Sequence, residues 1–358
     1  MLSARKAVQQ MHEYHPPLAG RQGLRLDFNE NTEGCSPRVL ARIREITADD
    51  LARYPEREPV EALAAAHLGL AAEQVLLTNG VDECIHLLCE AYLEPQDEVI
   101  VVTPTFSMYE IFAEATGAMV VRVQCGEDLR FPQEKVLAKI SGETKLIAVA
   151  SPNNPTGGVA AREQLLAIAK SAPGSALLVD EAYFDFHGQT LISDVGTQPN
   201  LFVARTFSKA YGLAGLRIGI LAGPREQMPM VRRVSSPYSV NAVALLALPV
   251  ALADSEYIAS YVAQVKIGRT KLESELRRVG ITWWPSEANF VLMRIGQRHR
   301  EFGAAMRQRG ILVRDRSNDP GCEGCVRITL GTSEQTERLL AAFHEVVSEL
   351  KLETEVSA

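Results

Sequence analysis

The chain has 358 residues, 46% hydrophobic and 23% charged, enough for one large core and a second smaller one and ordinary for a globular protein. With 37 basic against 44 acidic residues the net charge is -7, so no bulk field draws the chain to nucleic acid or to an anionic membrane, and no such partner is expected. Anionic ligands would have to be held by a few locally placed arginines, against the net charge.

The N-terminal stretch MLSARKAVQQMHEYHPP lacks the apolar segment of a secretory signal, and cytoplasmic residence is expected. Residues 26–29 are too few to form a domain and are expected to pack against the C-terminal part. From residue 74 onward, short apolar runs alternate with helical patterns. Strands are predicted at 74–78, 98–103, 119–123, 145–150, 176–180, 201–206 and 217–222, with helices near 82–92 and 162–170. Continuous apolar runs of this length suit strands buried on both faces, so the middle of the chain reads as a doubly wound α/β sheet. The apolar stretch 242–253 is interrupted by Pro249 and falls short of the roughly 20 residues a membrane span needs. The last third changes character: a long helix at 255–279, strands near 290–295 and 326–330, and a helix from 333 to about 350 suggest a small α+β unit. Cys322 and Cys325 form a lone C-x-x-C with no second pair and no following histidines. Four-ligand zinc spacing is absent, no metal site is expected, and a loop with two free thiols is the reading.

In a sheet of this kind ligands sit beyond the carboxyl ends of the strands, and five predicted strand ends carry polar residues. After the sixth strand comes Ser208-Lys209, followed by glycines and Arg217. A desolvated lysine amine can form a Schiff base, and a guanidinium fork suits phosphate. The fifth strand ends in Asp180-Glu181-Ala182-Tyr183, where a carboxylate can pair with a pyridine nitrogen. Asn154 lies in a Pro/Asn/Gly turn after the fourth, Gly80-Val81-Asp82 opens a helix after the first, and Phe106 follows the second. Singly, each has an ordinary explanation: a surface turn, an N-cap, a capped helix, a core aromatic. Together they supply what pyridoxal phosphate (PLP) requires: an imine lysine, a carboxylate for the ring nitrogen, a donor to the phenolate, a phosphate cradle and a stacking ring.

These residues resemble the fold-type I aminotransferases and, within them, the histidinol-phosphate branch. SPNNPTG (151–157), VDEAY (179–183) and SKAYGLAGLRIG (208–219) are shared widely in that fold. Asn29-Glu30-Asn31, RYPE (53–56), TNGVDE (78–83), SEANF (286–290) and VRITLGT (326–332) are more particular to the branch. The resemblance implies a large, mostly parallel PLP-binding domain at 38–262 and a small α+β domain from 1–37 and 263–358. It makes Lys209 the cofactor anchor and proton carrier and pairs Asp180 with the ring nitrogen. Asn154 and Tyr183 would bond the phenolate oxygen and Phe106 would stack on the ring. Val81, Asp82, Ser208 and Arg217 would hold the phosphate, with Tyr54 reaching the phosphate of a neighbouring subunit in a homodimer with shared sites. Arg327 would grip a substrate carboxylate, Arg314 a substrate phosphate, and Asn289 and Asn31 would line the substrate pocket.

The implied reaction transfers the amine of L-histidinol phosphate to 2-oxoglutarate, a step of histidine biosynthesis; the alternative on the same fold is an aromatic-amino-acid aminotransferase. The chain departs from the pattern at 29–37, which lacks the usual Pro-Tyr-Gly-Pro, at Phe106 where tyrosine is usual, at Val81, and at Ile220. A PLP-sensing regulator would need a DNA-binding module, and a nicotinamide dehydrogenase a G-x-G-x-x-G after an early strand; the sequence has neither.

Overall fold

In the computed structural model, which describes residues 2–15 and 20–352, the apolar runs of the middle third form one seven-stranded sheet. Parts of the N-terminal stretch and of both ends of the expected small domain fall outside the described residues. The strands are β1 (Val75–Thr78), β2 (Glu98–Thr103), β3 (Met119–Gln124), β4 (Thr144–Ala150), β5 (Ala176–Asp180), β6 (Leu201–Thr206) and β7 (Gly219–Ala222). Their order is β1-β7-β6-β5-β4-β2-β3. Only β7 runs against its neighbours; the other six strands point one way.

The period of two in a strand explains why these runs are apolar throughout. Val99 and Val101 of β2 face one core, with Leu88 and Tyr109, while Ile100 and Val102 face another, with Leu165 and Ile168. Helices α1 (Val81–Tyr92) and α2 (Met108–Thr116) cover the first face, and α3 (Arg162–Ser171) covers the second. Both faces are therefore sealed, and only the strand ends remain open to a ligand.

Most expected strand ends differ from the observed ones by at most one residue; the seventh strand differs by two. The seventh strand begins at Gly219, not at residue 217. A short 3-10 turn at Ala214–Leu216 precedes it, and Arg217 takes the left-handed conformation at φ 52°. The consequence is functional, because residues 207–218 leave β6, cross the sheet end and return as an antiparallel strand without a crossover helix. Residues 242–253 form one continuous helix, α4 (Ala242–Ala253), with Pro249 inside it and an N-cap bond from Ala244 N to the Asn241 side chain. Among the described residues no single helix is long and apolar enough to cross a membrane.

A second sheet, β8 (Trp283–Trp284), β9 (Phe290–Arg294), β10 (Arg314–Asp315) and β11 (Cys325–Thr329), is antiparallel in the order β10-β11-β9-β8. Helices α5 (Ser255–Arg278), α6 (His299–Gln308) and α7 (Ser333–Glu349) close over it through Leu272, Leu276, Phe302, Met306, Leu339 and Phe343. A capping box between Thr332 and Gln335 starts α7. All six cysteines are free. Cys325 opens β11 instead of lying in a loop, and Cys322 and Cys325 are both buried.

The N-terminal segment ties the two sheets together. Leu24–Arg25 pairs in parallel with Ile311–Leu312, and Thr329 N bonds to Leu26 O at 2.9 Å. Residues 27–31 then run from the small sheet to the open end of the large one.

Candidate active site

Each functional candidate of the large sheet sits where a strand stops. Asp180 is the last residue of β5, and Phe106, Asn154 and Lys209 follow the ends of β2, β4 and β6. The loop bearing Lys209 is pressed onto the N-terminal segment. Gly212 has φ 68°, and a Cβ there would lie 2.2 Å from Gly34 O, so the approach requires glycine. Asn31 Nδ2 donates to Ala210 O at 2.9 Å, and its Oδ1 accepts from Glu33 N and Gly34 N. Its polar atoms thus hold the backbone beside Lys209.

Lys209 Nζ donates to Phe28 O at 3.1 Å and lies 5.9 Å from the centroid of the Tyr183 ring. The residue keeps some accessible surface, yet its amine is enclosed enough for desolvation to dominate. Its pKa falls from 10.5 to about 8, with Arg327 also lowering it. Asp180 is buried and shifted the opposite way, to about 6. Desolvation raises it, while the Tyr109 hydroxyl at 2.5 Å from Oδ2 and the Ala182 N–H at 3.0 Å from Oδ1 oppose that rise. Phe106 meets Tyr109 edge to face, with centroids 5.9 Å apart.

At the start of α1, Gly80 takes φ 76°, and a Cβ there would fall 2.5 Å from Arg217 Nη2. A Cβ at Gly219 would lie 2.9 Å from Gly80 C, so the first residue of β7 abuts the helix start. Arg217 bridges to Asp82 at 2.9 Å, and the hydroxyl of the buried Ser208 makes no hydrogen bond among the described residues. A helix N-terminus, a hydroxyl and a guanidinium converge here, the components of a phosphate cradle.

The small sheet contributes cations. Arg327 on β11 is buried, donates Nη1 to Asn154 Oδ1 and Nη2 to Asp27 O at 2.7 Å, and leaves Nε without a partner. Burial and the nearby Arg316 push its pKa down. It forms no carboxylate ion pair among the described residues, although Arg316 is paired with Asp319. A buried guanidinium without an anion is costly, and it is a ready site for one. Arg314 stands opposite Arg327 in the strand register, and its guanidinium lies 5.1 Å from the Phe28 ring. Asn289 is fully buried. Its Nδ2 donates to Asn29 O at 3.1 Å, and its Oδ1 has no partner.

Thus Lys209, Tyr183, Asn154 and Arg327 are joined through direct contacts or through residues 27–29. Phe106, Tyr109 and Asp180 form a second chain of contacts, and Ser208, Arg217, Val81 and Asp82 belong to the two segments that meet where β7 abuts the start of α1. Tyr54 stands apart: it is 78% exposed and stacks on the exposed Tyr238, with centroids 4.4 Å apart. Sequence reasoning missed Tyr109 and the roles of Asp27, Phe28 and Asn29. No motif in the sequence marks Tyr109. Asn29 was visible in the Asn29-Glu30-Asn31 run, but nothing in the run indicates what its amide touches.

The residues fit PLP. Tyr183 Oη accepts from Asn29 Nδ2 at 2.9 Å, so its own proton remains to be donated; Asn154 Oδ1 is taken by Arg327, so its Nδ2 is likewise free to donate. Two uncommitted donors suit an oxyanion, and Asp180 suits a pyridinium.

Comparison with known proteins gives the same picture. Residues 21–343 match the family model for aminotransferase class I and II. The histidinol-phosphate aminotransferase of Roseiflexus castenholzii is 38% identical over 349 residues, 92% of either chain. That of Symbiobacterium thermophilum is 38% identical over 369 aligned positions, covering 98% of this chain and 100% of its own. The crystal structure of the Sinorhizobium meliloti histidinol-phosphate aminotransferase in complex with pyridoxal-5'-phosphate superposes with a TM-score of 0.86 at 26% identity, covering 96% of this chain and 97% of that one.

Proposed function

The chain belongs to the class I and II aminotransferases, and we propose that it is a PLP-dependent transaminase that moves the amine of L-histidinol phosphate to 2-oxoglutarate, giving imidazole-acetol phosphate and L-glutamate. The observation that carries this reading is the pairing of an enclosed lysine amine, depressed to about pKa 8, with a buried arginine fork that has no carboxylate partner among the described residues.

Bound PLP supplies an electrophilic carbon for an amine and a ring that takes up the electron pair left on the substrate Cα. The chain's residues do the rest. Lys209 would anchor the cofactor through its amine and, when that amine is free, would carry the proton taken from the substrate Cα. At neutral pH roughly a tenth of an amine with pKa about 8 is already unprotonated, which suits a base. Asp180 holds the ring nitrogen in its protonated form, and Tyr183 and Asn154 donate to the ring oxygen. Phe106 stacks on the ring; the absent tyrosine hydroxyl leaves that contact intact. The start of α1 at Val81 and Asp82, together with Ser208 and Arg217, holds the phosphate. Arg327 orients the carboxylate of 2-oxoglutarate and Arg314 the phosphate of the donor. Asn289 offers an unpaired buried acceptor to the substrate, and Asn31 acts through the Lys209 loop.

The two sheets support a large unit at 38–262 and a small unit at 1–37 and 263–358, with the unbroken helix α5 crossing the boundary. The stacked, exposed Tyr54 and Tyr238 support a homodimer in which Tyr54 completes the partner's phosphate site. A cytoplasmic location belongs to the same proposal. The test is stoichiometric: equal amounts of L-glutamate and imidazole-acetol phosphate should form from L-histidinol phosphate and 2-oxoglutarate. Turnover of aromatic amino acids alone would shift the assignment to the aromatic aminotransferases.

A further inference from the structure

Residues 27–29 touch four functional groups in three consecutive positions. Asp27 O takes Arg327 Nη2, Phe28 O takes Lys209 Nζ, and Asn29 reaches Tyr183 and Asn289. The Phe28 ring is approached by two cations, Arg21 at 4.3 Å and Arg314 at 5.1 Å from its centroid. Arg21 in turn is fastened to Asp27 and Glu30 at 2.7 and 2.8 Å.

Asn29 is the centre of this segment. It is 1% exposed and adopts φ 55°, the left-handed region that asparagine tolerates better than other side chains. All four of its polar groups are used. Its N–H donates to Thr329 Oγ1 at 3.0 Å, and its Oδ1 accepts from that hydroxyl at 3.1 Å. Its carbonyl accepts from Asn289, and its Nδ2 donates to Tyr183 Oη at 2.9 Å. The Thr329 hydroxyl has one proton, and it goes to Asn29 Oδ1. In this pairing the NH2 end of the amide faces Tyr183. A phenol that receives a hydrogen bond from an amide cannot give its proton back to it, so the proton must point elsewhere.

We infer that Asn29 is a positioning residue that, through Thr329 on one side and Tyr183 on the other, aims the Tyr183 proton at the ring oxygen of the bound cofactor and couples that donor to the small sheet. The inference rests on the PLP-dependent reading given above. Asn29 acts by removing the alternative acceptor for the Tyr183 proton.

The test uses the full-length protein reconstituted with PLP and reads its visible spectrum against pH, in wild type, N29G, N29D, Y183F and the N29G/Y183F double variant. A donor to the ring oxygen draws electron density from the covalent link to Lys209 and lowers the pH at which that link loses its proton. Glycine keeps the left-handed backbone but deletes the amide. Aspartate keeps the shape but presents only acceptors, so it turns the Tyr183 proton toward itself. The expected result is a rise of about half a unit or more in the spectral midpoint for N29G and N29D, with PLP bound about fivefold more weakly. Y183F should rise similarly, and N29G should add nothing in the Y183F background. A midpoint for N29G and N29D that superposes on wild type would overturn the inference, as would a full additional shift in the double variant. If wild type itself gains no pH-dependent visible band with PLP, the PLP reading fails, and the positioning inference fails with it.

Discussion

Tyr109 Oη lies 2.5 Å from Asp180 Oδ2, and both side chains are buried beneath the end of β5. The phenol is itself held well above its usual pKa by burial and by the adjacent carboxylate, so it stays neutral and donates. Asp180 therefore carries a hydrogen-bond donor on each oxygen and still has a pKa near 6, because desolvation outweighs both. Such a carboxylate is incompletely compensated by its own protein. A protonated ring nitrogen would complete it.

Without cofactor, that deficit should appear in stability. A carboxyl whose folded pKa is raised from 3.8 to about 6 contributes stability below pH 3.8 and loses it as pH rises through 6. Two units correspond to about 3 kcal/mol. Denaturant unfolding of the apoenzyme should show Asp180→Asn more stable than wild type at pH 8, with the difference vanishing near pH 4. Tyr109→Phe should move the wild-type midpoint to higher pH, because the removed hydrogen bond lowered it. Equal stability of wild type and Asp180→Asn at pH 8 would contradict the burial argument.

Lys209 titrates in the opposite sense. Its pKa of about 8 means that covalent capture of PLP by the apoenzyme should accelerate about tenfold per unit of pH up to 8 and then level off. Stopped-flow absorbance measures this directly. Lys209→Ala should still bind PLP weakly, resist borohydride fixation of the cofactor, and lose transamination by roughly a thousandfold or more.

Arg327 joins charge to a planar fork. Arg327→Lys retains the first and loses the second, and it leaves either Asn154 Oδ1 or Asp27 O without its donor. The KM for 2-oxoglutarate should rise about 10- to 100-fold, on the scale of one or two charge-assisted hydrogen bonds. An unchanged KM for the dicarboxylate would place its binding elsewhere.

Tyr54 tests the shared site. If it serves the neighbouring subunit, neither a Tyr54→Ala nor a Lys209→Ala homodimer has an intact site. Mixed dimers of the two variants should carry one site free of both substitutions and recover up to half of the wild-type activity per dimer. No recovery on mixing, with dimers shown to exchange, would contradict the arrangement.

Much of the site was readable in the sequence because its residues sit next to strong local signals. Asp180 and Lys209 follow continuous apolar runs, and the glycines that admit close backbone approach flank them. The strand boundary at 217 was misread because Arg217 directly adjoins the apolar run from Ile218 to Leu221, while its left-handed backbone keeps it out of the strand. Helix α4 was read as a broken stretch because Pro249 ordinarily interrupts; there, burial on nearly every side keeps the helix whole. Asn29 was the least legible. Its partners lie 154, 260 and 300 residues away, and no local pattern encodes such contacts. Tyr109 lies in the first turn of α2, where a buried aromatic reads as ordinary core packing.

The most direct measurement is a single-turnover titration of the PLP form with L-histidinol phosphate, L-phenylalanine and L-glutamate in parallel, following loss of the cofactor's visible band. The expected result is discharge by L-histidinol phosphate at the lowest concentration, discharge by L-glutamate as the reverse of the second half-reaction, and little by L-phenylalanine. Discharge by L-phenylalanine without discharge by L-histidinol phosphate would contradict the assignment.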